Sequence, residues 1–246
     1  MAWKTYIIRF NRIGEKKNMG KIIAAHQPNF LPWLGLLYKI YNCDEFIWAD
    51  DIQFSTRNGI NTHRNCIKTS QGIQDIRIPV IKHSTSKICE VEIDYRQNWI
   101  PKMKKTIYLS YGKAEFYEEV SEWFNEVLDL HYETLAQLNK RLLEDICNRM
   151  EFGVTFDSCS KYDIGGKKEE YVINLVKFFD GDVYYSGTGA ADYLHTEVLK
   201  EQGIELIYSD FSTVVYPQLW GEFIADLSVI DYLFNCGFTN PFANKA

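Results

Sequence analysis

Four residues near the front of the chain are of types that could carry out chemistry. His26, Gln27, Pro28 and Asn29 follow directly after the apolar run KIIAA (21–25). Imidazole exchanges a proton near neutral pH, and amide groups form hydrogen bonds with sugar hydroxyls and phosphates. We expect His26 to act as a general base, and Gln27 and Asn29 to bind substrate. The alternative is a histidine that only holds a turn by a hydrogen bond.

A second polar stretch, ADDIQFSTRNGINTHRN (49–65), crowds acids, amides and bases together after the apolar run EFIW. Paired acids after a strand can orient an imidazole, hold a divalent ion, or cap a turn while facing solvent, and the spacing leaves these possibilities open. We expect Asp50 and Asp51 to take part in catalysis with His26. Arginine grips anionic groups with two parallel hydrogen bonds, although arginines on strands often face solvent. The expected substrate-binding residues of this stretch are Gln53, Arg57, Asn61, His63, Arg64 and Asn65.

A third candidate lies in VYYSGTGAADYL (183–194), where glycines separate a predicted strand from a helix predicted to begin near Ala190. Glycines let backbone N–H groups approach an anion at the positive end of a helix. The stretch lacks the full dinucleotide fingerprint and the phosphate loop, so a tight turn that merely needs glycine is the alternative. We expect Ser186, Gly187 and Gly189 to bind the phosphate of a substrate.

Composition limits the classes of partner. Lysine and arginine total 27 against 33 acids, a net charge of −6, so no overall basic field is present to attract nucleic acid. Six cysteines are scattered without metal-binding spacing, which favours a reduced, cytoplasmic protein without a bound metal. The apolar runs are shorter than a membrane span. The oligomeric state is not predicted.

The elements that must position these residues can be placed from hydrophobic patterning. KIIAA, the helical run PWLGLLYKIYNC (32–43) and EFIWAD (45–50) form the crossover unit of a parallel sheet, whose ligands lie beyond the carboxyl ends of the strands. Alternation over about 59–95 predicts an antiparallel β-hairpin insertion over the site. Helices follow over 99–112 and, as two helices, over 114–150; a second strand, turn, helix, strand unit precedes an apolar helix over 216–237 that ends at Gly237.

These patterns predict one α/β domain over 19–246. Residues 1–18 lack an apolar face that could dock on it, so we expect them to be a dispensable N-terminal extension.

From about Met19 to Gly237 the chain resembles the WbqC-like family. The stretches that carry the resemblance are HQPNFLPWLG, DEFIWADDIQF, NTHRN, IRIPV, YYSGTGAADYL and YPQLWGEFIADLSVIDYLFNCG. The resemblance implies a role in bacterial O-antigen or capsular polysaccharide biosynthesis on nucleotide-linked sugars. It also adds Gln218 to the expected substrate-binding residues. The residues that fall in the family's characteristic motifs are His26, Gln27, Pro28, Asn29, Gly35, Asp50, Asp51, Gln53, Asn61, Arg64, Asn65, Ser186, Gly187, Gln218 and Asp231.

The first crossover unit is also similar to the nucleotide-binding half of adenylate-forming and nucleotidylyl-transferring enzymes of the HUP type. Their His-x-Gly-His motif is missing here, and a fold likeness does not assign a reaction. The expected fold is therefore a mostly parallel α/β sheet with flanking helices, of HUP or Rossmann-like architecture, with an antiparallel β insertion.

Together these observations predict a transferase that moves an acyl or aminoacyl group from a donor onto the amine of a nucleotide-linked amino sugar. His26 would be the base, oriented by Asp50 or Asp51, and the diphosphate would be held by arginines and by the 186–189 turn. One alternative is nucleotidylyl transfer with magnesium at Asp50 and Asp51. Another is a non-catalytic sugar-recognition partner of a polysaccharide assembly complex, which would bind its ligand without turnover.

Overall fold

A computed structural model describes residues 20–55, 62–83 and 85–243. The predicted extension over 1–18 lies outside the described residues. Along the chain the elements are β1 (Ile22–His26), α1 (Leu34–Tyr41), β2 (Glu45–Trp48), β3 (Arg64–Thr69), β4 (Gly72–Arg77), β5 (Val80–Ile81), β6 (Glu92–Ile93), α2 (Trp99–Tyr111), α3 (Tyr117–Asp129), α4 (Leu135–Arg149), β7 (Thr155–Ser158), α5 (Glu169–Phe178), β8 (Val183–Ser186), α6 (Thr196–Glu201), β9 (Glu205–Tyr208) and α7 (Val229–Cys236).

Five parallel strands form the main sheet in the order β7-β2-β1-β8-β9. Taken in chain order, these are the third, second, first, fourth and fifth strands of the sheet. The direction of strand addition therefore reverses between β1 and β8, and a crevice opens there at the carboxyl ends of the strands. The predicted α/β fold with a mostly parallel sheet is confirmed.

The central strands are apolar because both faces of the sheet are covered. Ile22 and Ala24 of β1 pack in the larger hydrophobic core, and Ile23, which points the other way, packs in the smaller one. Successive residues of a strand face opposite sides, so a continuous apolar run is what a strand between two helical layers requires.

Two small antiparallel pairs, β3–β4 and β5–β6, lie within the predicted insertion. The expectation that they cover the crevice is wrong for the described residues, since none between 62 and 95 lines it. The hairpin is instead tied to the C-terminal part of the chain, where the N–H of Ser228 donates to the carbonyl oxygen of Cys66. The rest of the predicted insertion, residues 59–61 and 84, lies outside the described residues.

The helical predictions hold in the middle of the chain and fail near its end. The stretch over 114–150 is two helices, α3 and α4, and α4 begins with a capping box between Thr134 and Gln137. The last helix ends at Gly237, which has a φ of 68°. It begins only at Val229, however, so residues 209–228 form a long segment without helix or strand. Within the described ranges, no helix combines the length and the apolar character needed to cross a membrane.

Candidate functional site

A cleft of about 420 Å³ lies at the point where the strand order reverses, between the carboxyl ends of β1 and β8. Its walls come from the end of β1, from Trp33 and the first two turns of α1, from β8 and the turn after it, and from the segment that follows β9. The residues that line it are Ala25, His26, Trp33, Gly35, Leu36, Lys39, Tyr184, Ser186, Gly187, Thr188, Gly189, Ala190, Tyr193, Ser209 and Phe211.

His26 is the last residue of β1 and reaches the cleft as a neutral imidazole. Its Nδ1 lies 2.9 Å from the carbonyl oxygen of Gln27. A carbonyl oxygen only accepts, so Nδ1 carries the proton and donates it, which leaves the lone pair on Nε2. Burial, followed by the nearby charge of Lys39, lowers the pKa of His26 to about 4. At neutral pH the ring is therefore uncharged, and the lone pair of Nε2 is free.

Lys39 of α1 reaches the same cleft and is not among the site residues expected from the sequence. The residue is only 6% exposed, and its Nζ donates to the carbonyl oxygen of Ala25 at 2.8 Å. Nζ also lies 5.8 Å from the ring centroid of Tyr184. Burial lowers the pKa of Lys39 to about 8. The signal in the sequence was a lone charge in LGLLYKIY, a helix that is otherwise apolar or aromatic.

The turn after β8 forms a low wall of the cleft. A side chain added at Gly187 or Gly189 would meet nothing within 4 Å, and neither residue has a left-handed φ. Backbone conformation and packing therefore do not require glycine at either position, and its effect is to keep the cleft open. The prediction that a helix begins near Ala190 is wrong. Thr188–Ala190 is a single 3-10 turn, and α6 begins at Thr196, so no α-helix N-terminus lies at the turn.

Aromatic rings stand at the mouth of the cleft. Trp33 and Phe211 contact edge to face, with ring centroids 5.2 Å apart. A Cβ on Gly35 would lie 2.5 Å from the Trp33 ring, so the missing side chain lets the indole fold back over the start of α1. Phe211 lies more than 170 residues further along the chain. It is held at the cleft in part by its neighbour Asp210, which accepts a hydrogen bond from the hydroxyl of Tyr38. Sequence patterns near Trp33 contain no signal for this long-range contact.

The two acids after β2 do not face this cleft. Asp50 is fully buried and accepts hydrogen bonds from Lys140 Nζ and from the N–H and hydroxyl of Ser160. Asp51 accepts from the hydroxyl of Tyr171 at 2.8 Å. The expectation that either acid orients His26 is corrected, because the Nδ1 of His26 is held by the carbonyl oxygen of Gln27.

The physical reason is the position of β2 in the sheet. β2 lies on the side of β1 away from β8, so its end meets the partners supplied by α4 and by the segment after β7. Among the described residues, no group of three or more His, Cys, Asp or Glu side chains could hold a metal ion.

The remaining predicted site residues lie elsewhere. Asn65 donates to the carbonyl oxygen of Leu31 at 2.6 Å and supports the chain after the His-Gln-Pro-Asn turn. His63 contacts Phe54, and burial lowers its pKa. Arg57 and Asn61 lie outside the described residues. The predicted residues that are described but do not line the cleft are Gln27, Asn29, Gln53, His63, Arg64, Asn65, Gln218, Asp50 and Asp51.

Two residues of the family-like motifs, Gln218 and Asp231, belong to a buried polar network. Asp231 accepts from the hydroxyls of Tyr111 and Tyr216 at 2.8 and 2.9 Å. Gln218 accepts from Lys68 Nζ, which also donates to the carbonyl oxygens of Gly221 and Glu222. These contacts brace the irregular 209–228 segment against β3 and α2.

A sequence model described as the WbqC-like protein family matches residues 27–241. The chain is also 33% identical over 225 residues to the uncharacterized protein Rv1507c of Mycobacterium tuberculosis strain ATCC 25618 / H37Rv, and the alignment covers 90% of this chain and 96% of that protein. No solved structure matches the chain. The family match includes every residue that lines the cleft except Ala25 and His26.

Proposed function

The chain belongs to the WbqC-like protein family, and on that premise we propose that it is a cytoplasmic transferase of bacterial O-antigen or capsular polysaccharide biosynthesis. It moves an acyl or aminoacyl group onto the amine of a nucleotide-linked amino sugar. The observation that carries the proposal is the neutral imidazole of His26 in the cleft where the strand order reverses. None of the six cysteines, all of which lie in the described residues, forms a disulfide, in keeping with a reducing compartment.

The shape of the cleft supports a ligand of this class. Clefts at this point of a parallel sheet are where nucleotides bind in doubly wound folds, and pockets of roughly 300–1,000 Å³ hold small molecules. The aromatic rings of Trp33, Tyr193 and Phe211 offer flat apolar surfaces to a base or a sugar ring. Serine and threonine hydroxyls beside them provide hydrogen-bond partners for hydroxyl groups.

In the proposed reaction the amine nitrogen attacks the carbonyl carbon of the donor. The bond from nitrogen to carbon forms, the bond from carbon to the leaving group breaks, and the proton on nitrogen passes to Nε2 of His26. The amine must arrive unprotonated, because an imidazole with a pKa of about 4 does not deprotonate an ammonium group. An anionic substrate in the cleft raises that pKa, since nearby negative charge favours the protonated ring.

Nucleotidylyl transfer with magnesium at Asp50 and Asp51 loses its support, because the Asp50 carboxylate is taken up by Lys140 and Ser160. A non-catalytic sugar-binding protein would bind the same ligand without converting it, so a measurement of turnover separates that role from the proposal.

The test begins with native mass spectrometry of freshly purified protein, which we expect to show a retained nucleotide-linked sugar. Calorimetric titration with a panel of nucleotide-linked amino sugars follows, and then incubation of the tightest ligand with acyl and aminoacyl donors. Formation of an N-acylated product supports the proposal. Binding without product formation from any donor supports the non-catalytic role, and absence of binding to every member of the panel contradicts both.

A further inference from the structure

Lys39 is a buried cation that the described part of the chain does not neutralise. Its Nζ has one hydrogen-bond acceptor in the described residues, the carbonyl oxygen of Ala25, and it forms no ion pair with them. An ammonium group has three N–H donors, so two remain for a partner that the cleft admits. A charge removed from water without a counter-charge is costly, and buried charges in proteins are normally paired.

Two other poorly exposed lysines show what a satisfied ammonium group looks like in this fold. Lys140 forms an ion pair with Asp50 and also donates to the hydroxyl of Ser158. Lys68 donates to three oxygens, from Gln218, Gly221 and Glu222, and lies near the Asp231 carboxylate. Unlike these two, Lys39 lines an open cleft of about 420 Å³.

We infer that Lys39 binds a phosphate oxygen of the ligand in this cleft and thereby holds the diphosphate of a nucleotide beside His26. The inference deepens the proposed function and depends on it only for the identity of the molecule that carries the phosphate. It replaces part of the role expected of Arg57 and Arg64 in the sequence analysis, since Arg64 does not line the cleft and Arg57 lies outside the described residues.

The groups around Lys39 favour an anion over a second cation or a neutral ligand. The ammonium group lies near the imidazole of His26 on β1, the ring of Tyr184 on β8 and the thiol of Cys43, just beyond the end of α1. An anion placed between Lys39 and His26 stabilises positive charge on both. The same contact would position the reacting end of the ligand against the base.

Calorimetric titration with inorganic pyrophosphate, UDP and uridine tests the inference on the full chain. We expect Lys39→Met to weaken the binding of pyrophosphate and UDP by roughly tenfold or more, with uridine affected less than twofold. Lys105→Met is the matched control, because it removes the same charge from an exposed position on α2. Its affinities should stay within about twofold of those of the unaltered protein.

The outcomes separate the inference from the proposed function. If a folded Lys39→Met variant binds pyrophosphate and UDP as the unaltered protein does, or if the unaltered protein binds neither, the inference is overturned. If the unaltered protein and Lys39→Met bind and convert a nucleotide-linked sugar equally well, the proposed function stands and the inference about Lys39 fails. If pyrophosphate binds only when Lys39 is present but no nucleotide-linked sugar binds, the anion site stands and the proposed function fails.

A measurement on the unaltered protein decides the matter if Lys39→Met does not fold. Sulfate keeps a constant charge between pH 7 and 10, whereas Lys39, with a pKa of about 8, loses its proton over this range. We expect sulfate affinity to fall by roughly tenfold between pH 7 and pH 9.5 at fixed ionic strength, while ordinary lysines remain charged. Sulfate binding that does not change with pH, or that is absent at pH 7, contradicts the inference.

Discussion

At the end of β1, the Nδ1 of His26 donates to the carbonyl oxygen of the residue that follows it. The bond selects the tautomer with a free Nε2, so a backbone group does here what a carboxylate does in many catalytic sites. Burial and the charge of Lys39 keep the ring neutral. In the proposed reaction Lys39 carries the positive charge and His26 accepts the proton.

Replacing His26 by Asn tests the base directly. The amide of Asn can still donate to the carbonyl oxygen of Gln27, but it does not take up a proton at neutral pH. We expect turnover to fall by about a hundredfold or more, with ligand affinity and melting temperature little changed. Steady-state kinetics and calorimetry provide the measurements. Near-normal turnover in a well-folded variant would exclude His26 as the base.

The low pKa of His26 also predicts how stability depends on pH. The pKa of this residue is about 4 in the folded chain, below the ordinary value of 6.5, so the unfolded chain takes up a proton first as the pH falls. Above pH 6.5 this residue makes the free energy of unfolding no more dependent on pH than it is in His26→Asn. As the pH falls to 4, the free energy of unfolding falls by up to about 3 kcal/mol relative to that of His26→Asn. Urea unfolding of both proteins at pH 7, 5.5 and 4.5 measures the difference. Parallel pH curves for the two proteins would show that the imidazole is not held neutral.

At the scale of elements, glycines on α1 and after β8 shape the two sides of the cleft in different ways. Gly35 makes room for the ring of Trp33, so a side chain there would displace a neighbour. Gly187 and Gly189 have open space where a side chain would stand. Gly35 therefore positions the aromatic wall formed by Trp33, whereas Gly187 and Gly189 leave the opposite wall without side chains.

Gly35→Ala should weaken ligand binding through Trp33. The new Cβ would lie 2.5 Å from the indole ring, which must move away from the cleft mouth. We expect an affinity loss of roughly fivefold for the ligand found by mass spectrometry, and no further loss when the change is made in a Trp33→Ala background. Calorimetry on the four proteins of this cycle measures the coupling. Additive losses would mean that Gly35 acts independently of the indole.

Gly187→Val should obstruct the cleft while leaving the fold intact. The residue has φ −73° and ψ 153°, an extended conformation that valine adopts readily. We expect ligand affinity to fall by roughly tenfold and the melting temperature to change by no more than about 2 °C. Gly165→Val is the matched control, because it also has open space around it and does not line the cleft. Unchanged affinity in Gly187→Val would leave the turn with a structural role only.

At the scale of the whole molecule, residues far apart in the chain hold the cleft together. The segment over 209–228 has no helix or strand, yet it brings Phe211 to the cleft and returns under β3. Backbone hydrogen bonds alone do not order so long a segment. Side-chain hydrogen bonds in the polar network around Lys68 and Asp231 provide the further contacts that hold it in place. Gln218 and Asp231 therefore support the site from a distance.

Asp231→Ala should destabilise the whole protein. It removes the acceptor of two tyrosine hydroxyls and leaves the buried charge of Lys68 without its nearby carboxylate. Loss of one partner in such a network costs about 3–5 kcal/mol, or about 10 °C in melting temperature for a chain of this size. Thermal unfolding by circular dichroism provides the measurement. A variant of normal stability that had lost turnover would instead place Asp231 in the chemistry.

The sequence by itself determined most of the elements before residue 180 and the chemical types at the ends of β1 and β8. Apolar runs marked β1 and β2, helical periodicity separated α3 from α4, and the polar turns after β1 and β8 were recognised as candidate site residues. These features are local, because they depend on the period of one strand or helix and on the turn residues that end it.

Only the tertiary structure decided which of these ends meet. The order of strands placed β8 beside β1, so the turn at Ser186 joined His26, while Asp50 turned towards Lys140 on α4, ninety residues along the chain. The burial of Lys39 and the position of Phe211 at the cleft also result from the packing of the complete chain. Strand order and burial depend on the packing of the complete chain, so the patterns around a single residue do not contain them.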